Sequence, residues 1–223
     1  MTNHSAVLSS CLAAGAAFAA FGARVLAQEE VVLRSTAGQG ITVVSSSATF
    51  SAFNAAFFAA AAASPQLAVE VSYPAWLVAL PADAASRWLS PASGSSANFV
   101  LTQTFTIPAS VIDYASLEFT FAVDDFLGDP TGPNHWGVFL NGHEVNGMHG
   151  SGHSAQQQLL AGGVGGLLAP GPNLLQVYCR DTGGTVSGVI YRARIRYWPC
   201  VAEEVIRLHS GNGPIGGPDG EVL

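Results

Sequence analysis

The strongest constraint on this chain is an apolar/polar alternation that runs on both sides of a proline between positions 99 and 142. This stretch reads FVLTQTFTIPASVIDYASLEFTFAVDDFLGDPTGPNHWGVFLNG. Leu117, Phe119, Phe121 and Val123 share one side of the period-two pattern, and Glu118, Thr120 and Ala122 share the other. That is the signature of a half-buried strand. Asn141-Gly142 closes the next strand with a short hairpin signal. Strands with one greasy face need a second layer to cover it, so the stretch predicts an antiparallel β-sandwich.

Other segments fit the same plan. Short strands are expected at 30–34, 41–47 and 68–73, a helix at the alanine-rich 52–63, and a turn at 90–96. Strands are also expected at 174–179 and 189–198, joined as a hairpin through the glycine-containing 181–187. Residues 142–166 are rich in Gly, His and Ser and read as a long loop with little regular structure. Four segments result: an apolar 1–28, strands and helix in 29–85 that can belong to the same sandwich, the sandwich proper over 86–199, and a glycine-rich tail from 200 to 223, flexible unless a partner holds it.

Charged residues are 10% of the chain, against about 25% in an ordinary soluble domain. All 8 basic residues are arginine. Two readings fit: an exterior covered by neighbouring subunits, or a genome biased toward Ala, Gly and Arg codons. The net charge of −7 argues against nucleic-acid binding through bulk electrostatics. The 3 cysteines, Cys11, Cys179 and Cys200, imply no disulfide framework. If Cys179 stands on a hairpin with 189–198, Cys200 is far out of bonding reach, so free thiols are expected.

The apolar run 11–23 is too short for a membrane span, which needs about 20 residues. As a retained helix it places Cys11, Ala14, Phe18, Phe21 and Val25 on one face, with Phe18 and Phe21 as subunit contacts. As a secretory signal it is followed by Val25-Leu26-Ala27, with cleavage near Ala27, although the first ten residues hold no Lys or Arg. The retained helix is the reading carried forward.

Ordered landmarks from Arg87 to Tyr197 carry a family resemblance. They are Trp88 in RWLSP, Phe105 in TQTFTIPAS, Asp124 after FTFAV, Asn141-Gly142 after WGVFL, Gly171 and Asn173 in APGPNLLQV, and Gly188 opening GVIYRARI. In order and spacing this half of the chain resembles galactose-binding-domain-like β-sandwiches, or jelly rolls. Such domains serve as accessory modules of glycoside hydrolases, in exported bacterial surface proteins and in phage structural proteins. The resemblance implies about eight antiparallel strands and, often, glycan binding through loops at one end. The chain departs from the exported version in lacking a hydrophobic C-terminal anchor.

Several groups of residues are candidates for chemistry. Trp136 either begins a strand and is buried, or stacks on a sugar ring with Asp125, His135 and His143 bonding the hydroxyls. Asp124, Asp125 and Asp129 can hold a structural calcium, or cap Asx-type turns. His149 and His153 have metal-ligand spacing for a helix, but the glycines between them oppose a helix. Arg192, Arg194 and Arg196 emerge on one sheet face at period two. They can clamp an anionic partner or subunit, or be balanced by acids such as Glu118. No nucleophile elbow, phosphate loop or HExxH motif is present, so no enzyme is expected.

Two functions follow. The first is a structural protein of a multi-subunit particle, such as a phage virion decoration, fibre or tail component, self-associating or binding other structural subunits. The alternative is a secreted or surface glycan-binding module. Both place the protein on a virion or outside the cell.

Overall fold

A computed structural model describes residues 27–46, 63, 66–109, 111–131 and 135–199. The expected N-terminal segment 1–28 with Cys11, Phe18 and Phe21, the expected helix at 52–63, Cys200 and the 200–223 tail lie outside the described residues, apart from residues 27, 28 and 63. Among the described residues eleven strands follow in order: β1 Glu29–Arg34, β2 Thr42–Ser46, β3 Val69–Val71, β4 Trp88–Ser90, β5 Asn98–Ile107, β6 Ile112–Leu127, β7 Val138–Leu140, β8 His143–Glu144, β9 Gly150–Gly162, β10 Gly171–Arg180 and β11 Val189–Pro199. A short 3-10 helix, Val164–Leu167, separates β9 from β10.

Every strand pairing is antiparallel. One layer places β6 between β9 and β11, and β11 carries β1 and the β4–β3 pair on its other edge. The second layer runs β2–β5–β10–β7–β8. The two layers are one curled sheet, because Phe126 and Leu127 at the end of β6 pair with Arg180 and Cys179 of β10. The fold is therefore the expected antiparallel sandwich.

The alternation predicted for 117–123 is what closes it. Leu117, Phe119, Phe121 and Val123 are essentially fully buried. They join Phe99, Leu101 and Phe105 of β5, Leu175 and Val177 of β10, and Tyr191 and Ile195 of β11 in one core. Phe119 lies 5.6 Å from Phe121 and stacks 5.5 Å from Tyr191, ring to ring. The core also holds a polar bridge: the Tyr191 hydroxyl donates to Gln103 Oε1 at 2.9 Å, joining β11 to β5 across the two layers. Burial pushes the Tyr191 hydroxyl far above its ordinary pKa, so it stays a donor.

β6 turns the corner between layers at one residue. It follows β11 as far as Val123, opposite Val189, and joins β10 at Phe126. Between them its pairing with β9 shifts register, and Asp125 takes a left-handed φ of 63°. This is a bulge, the usual device for bending a strand from one sheet to another.

Two expectations are corrected. β10 and β11 are not a hairpin. β10 pairs with β5 along its length and β11 pairs with β6, so 181–187 crosses between layers. The reason is that β6 occupies the slot beside both strands. Cys179 therefore stands opposite Phe99 and Leu127 and not beside Ile190, and it is a buried free thiol. Second, 142–166 is not loop. It holds β8 and the 13-residue β9, which pairs with β6. Its glycines admit a close neighbour: a Cβ on Gly150 would sit 2.7 Å from the Phe121 ring.

The Asn141-Gly142 turn is as expected. Both residues have positive φ, 52° and 81°, as a type I′ hairpin between β7 and β8 requires. Asn173 bonds to it. Asn141 Nδ2 donates to Asn173 Oδ1 at 2.8 Å, and Leu174 N donates back to Asn141 Oδ1 at 2.8 Å.

A strap, residues 72–87, lies over the outer face of the first layer. Trp76 and Leu80 on it pack against Trp88, Ala122 and Ile190. Leu77 N donates to His153 O at 2.7 Å and Ala82 N to Gln156 Oε1 at 2.8 Å, which blunts part of the β9 edge.

Truncating Phe119 or Phe121 to alanine should cost about 3–5 kcal/mol by denaturant unfolding. A loss below about 1 kcal/mol would mean that this row does not face the core.

Candidate functional site

The expected site residues divide among three places. The first is the β6 corner. Asp125 receives Thr182 Oγ1 and Gly183 N, each at 2.7 Å, and also the backbone N–H of Thr182. Burial pushes its carboxyl up, but these donors outweigh it and hold the pKa below the ordinary value. Asp124 has different partners. Its Oδ1 accepts from Trp76 Nε1 at 3.3 Å and lies 3.5 Å from His153 Nδ1. Burial and then the charge of Asp125 raise its pKa. Asp181 is raised too, chiefly by burial.

Asp129 is fully buried, and its Oδ1 is bound by Arg180 and by the N–H and hydroxyl of Thr131. Asp124, Asp125 and Asp129 thus serve three different sets of partners. No group of three or more ligating side chains stands ready for a metal among the described residues.

The second place is the exposed end built by the β6–β7 and β8–β9 connections. The loop leaving β6 closes on itself: Gly128, at φ 82°, lies so near the returning chain that a Cβ would be 2.4 Å from His135 O. Only glycine fits there. Gly128 N donates to Tyr178 O at 3.0 Å, Tyr178 N to Gly137 O at 2.8 Å, and Gly137 N to Met148 O at 2.7 Å. These bonds place His135 and Trp136 beside His149.

The His135 ring is 4.6 Å from Trp136, edge on, and 4.9 Å from His149, and Trp136 is 5.3 Å from His149. Trp136 is half-buried, between the two states weighed from sequence, and precedes β7 instead of beginning it. Of the expected sugar contacts, His135 and Trp136 come together. His143 stands on the exposed β8 arm opposite Leu140, and Asp125 is committed to the corner. His149 is the member sequence reasoning missed as a ring partner. Its spacing to His153 drew attention to metal binding, while its true neighbours are set by the loop crossing.

The third place is the arginine face of β11. Arg192 Nη2 donates to Glu118 Oε1 at 2.8 Å, and Arg192 Nη1 to the strap at Ala82 O at 2.8 Å. Arg194 and Arg196 lie 3.3 and 3.2 Å from Glu30 Oε2, and 3.7 and 3.5 Å from Glu118 Oε2. The three guanidiniums are engaged by two carboxylates from flanking strands, on β1 and β6.

No family model and no curated protein sequence matches the chain. Three solved structures are similar in shape. One is a family 35 carbohydrate binding module from Clostridium thermocellum, 11% identical, at a TM-score of 0.37 over 74% of this chain and 97% of that one. Another is a beta-glucuronidase from an uncultured Clostridium sp., 14% identical, at 0.36 over 78% of this chain and 29% of that one. A third is an isomalto-dextranase from Arthrobacter globiformis T6 complexed with panose, 11% identical, at 0.31 over 77% and 32%.

The corner makes a pH prediction. A lowered folded pKa gives Asp125 a stabilisation fully present above the ordinary 3.8 and lost as pH falls through the folded value. Asn tolerates left-handed φ, so Asp125→Asn isolates the charge. The variant should unfold at lower temperature than the wild type at neutral pH, and the gap should close as the pH drops below about 3.8. A gap of constant size down into acid would contradict the assignment.

Proposed function

We propose that this chain is a non-enzymatic glycan-binding β-sandwich, with Trp136 as its sugar platform and His135 and His149 as flanking contacts. One observation carries the reading: a half-exposed indole packed against two imidazoles in a three-ring cluster at one end of the sandwich. An aromatic face stacks on the apolar C–H face of a pyranose, and ring nitrogens at its rim can donate to or accept from hydroxyls. The Gly128 crossing and the bonds to Tyr178 and Met148 hold Gly128 and Gly137 in place, which supports an ordered Trp136 before ligand arrives and so a lower ordering cost of binding. The resemblance read in residues 87–197 points the same way. On this reading the protein works outside the cell or on a virion surface.

Particle assembly remains the second reading, favoured by the 10% charge content. Its arginine version has less support, because Glu30 and Glu118 already engage Arg192, Arg194 and Arg196. Light scattering behind size exclusion bears on it: a large particle supports assembly and a monomer opposes it.

The glycan reading is tested on an array. Trp136→Ala should fold with a wild-type unfolding temperature to within a few degrees and lose about tenfold or more in signal on any glycan the wild type retains, a loss of about 1.4 kcal/mol. Equal binding by the two proteins would reject the platform.

A further inference from the structure

We infer that a second, separate saccharide cleft lies where β3 meets the strap, and that it selects sugar rings bearing ammonium or hydroxyl groups over carboxylated ones. The inference extends the glycan-binding reading but uses none of the Trp136 platform.

The cleft measures about 440 Å³, within the roughly 300–1,000 Å³ of small-molecule sites. Tyr73 forms one wall, 42% exposed, with its ring 5.7 Å from Trp76. Trp76 is itself held rigidly: it packs 4.3 Å from Trp88, and its Nε1 is tied to Asp124. Tyr73 is thus an exposed ring on a fixed aromatic base, with two side-chain torsions of its own to order.

The polar groups are asymmetric in charge. Glu70 is the charged residue of the lining, and the remainder is Val71, Val186, Gly94 and serines. Glu70 Oε1 accepts from Ala37 N at 3.0 Å, which holds the carboxylate in place without neutralising it. Ser90 and Ser187 are committed to the backbone, at Ala92 O and Ser95 O, each at 3.0 Å. Ser72 and Ser93 stand exposed at the rim.

A lining that holds a carboxylate and an aromatic ring and no basic residue attracts donors and cations and repels anions. A hexosamine fits this pattern best: C–H groups for Tyr73, hydroxyls for the serines and an ammonium for Glu70. A neutral hexose satisfies all but the last, and a uronate places like charge against Glu70.

The experiment titrates the full chain with glucosamine, glucose and glucuronate and follows tyrosine and tryptophan side-chain resonances by NMR. The wild type should bind glucosamine at least about threefold more tightly than glucose, with no saturable shift from glucuronate. Glu70→Gln should erase the glucosamine preference and keep glucose binding. Tyr73→Ala should abolish saturable shifts of the Trp76 and Trp88 resonances for glucosamine and glucose. Trp136→Ala should leave those two resonances responding as in the wild type. Glucuronate binding equal to glucosamine, or a Tyr73→Ala protein that still saturates there, would overturn the cleft. Loss of the Trp76 response in Trp136→Ala would overturn its independence. An array on which Trp136→Ala matches the wild type would count against the platform alone.

Discussion

The fold depends on one strand changing partners. β6 lies against β11 up to Val123 and against β10 from Phe126, and Asp125 makes the change possible. A regular strand cannot serve two layers that face each other, because its pleat would carry every side chain straight on. The left-handed Asp125 breaks the pleat once, and its carboxylate is then bonded by Thr182 and Gly183, in the segment that crosses from β10 to β11. Bend and crossing are therefore tied at one point. With the corner in place, the apolar rows of β5, β6, β10 and β11 meet, and the Tyr191–Gln103 bond fixes their distance.

The corner also explains where the charges went. An acid pair after a strand invites a reading as ligand or catalyst, and three arginines in a row invite a reading as an anion clamp. Here Asp124 and Asp125 orient the strap and the crossing, and Glu118 and Glu30 sit between the guanidiniums. With few charges in the chain, several are consumed in holding elements together. The recognition proposed above falls to Trp136 with its histidines at one end and to Tyr73 on the strap, with Glu70 as the one charge in the lining of the second cleft.

Much of the fold was legible because period two is a strong local signal. The inner row 117–123, the break at Pro108 and the Asn141-Gly142 turn need only their own neighbours to be read. β9 was not legible: its glycines look like loop markers, yet Gly150 is small because the Phe121 ring lies over it, a fact set by a strand distant in sequence. The false β10–β11 hairpin came from proximity in sequence, which carries no information about the strand inserted beside both. The site was half legible for the same reason. His135 and Trp136 are adjacent in the chain, whereas His149 reaches them only through the Gly128 crossing and the Gly137–Met148 bond. Tyr73 carries no local signal of a site, because its cleft is assembled from segments as far apart in sequence as Glu70 and Ser187.

The most direct test of this architecture is a set of interstrand nuclear Overhauser effects in the isotopically labelled full chain. The account predicts contacts from the Cys179 backbone to Phe99 and Leu127, and from Tyr191 to Phe121, with the Tyr191 ring close to the Gln103 side-chain amide. Backbone contacts pairing Cys179 directly with Ile190, as in a β10–β11 hairpin, would contradict it.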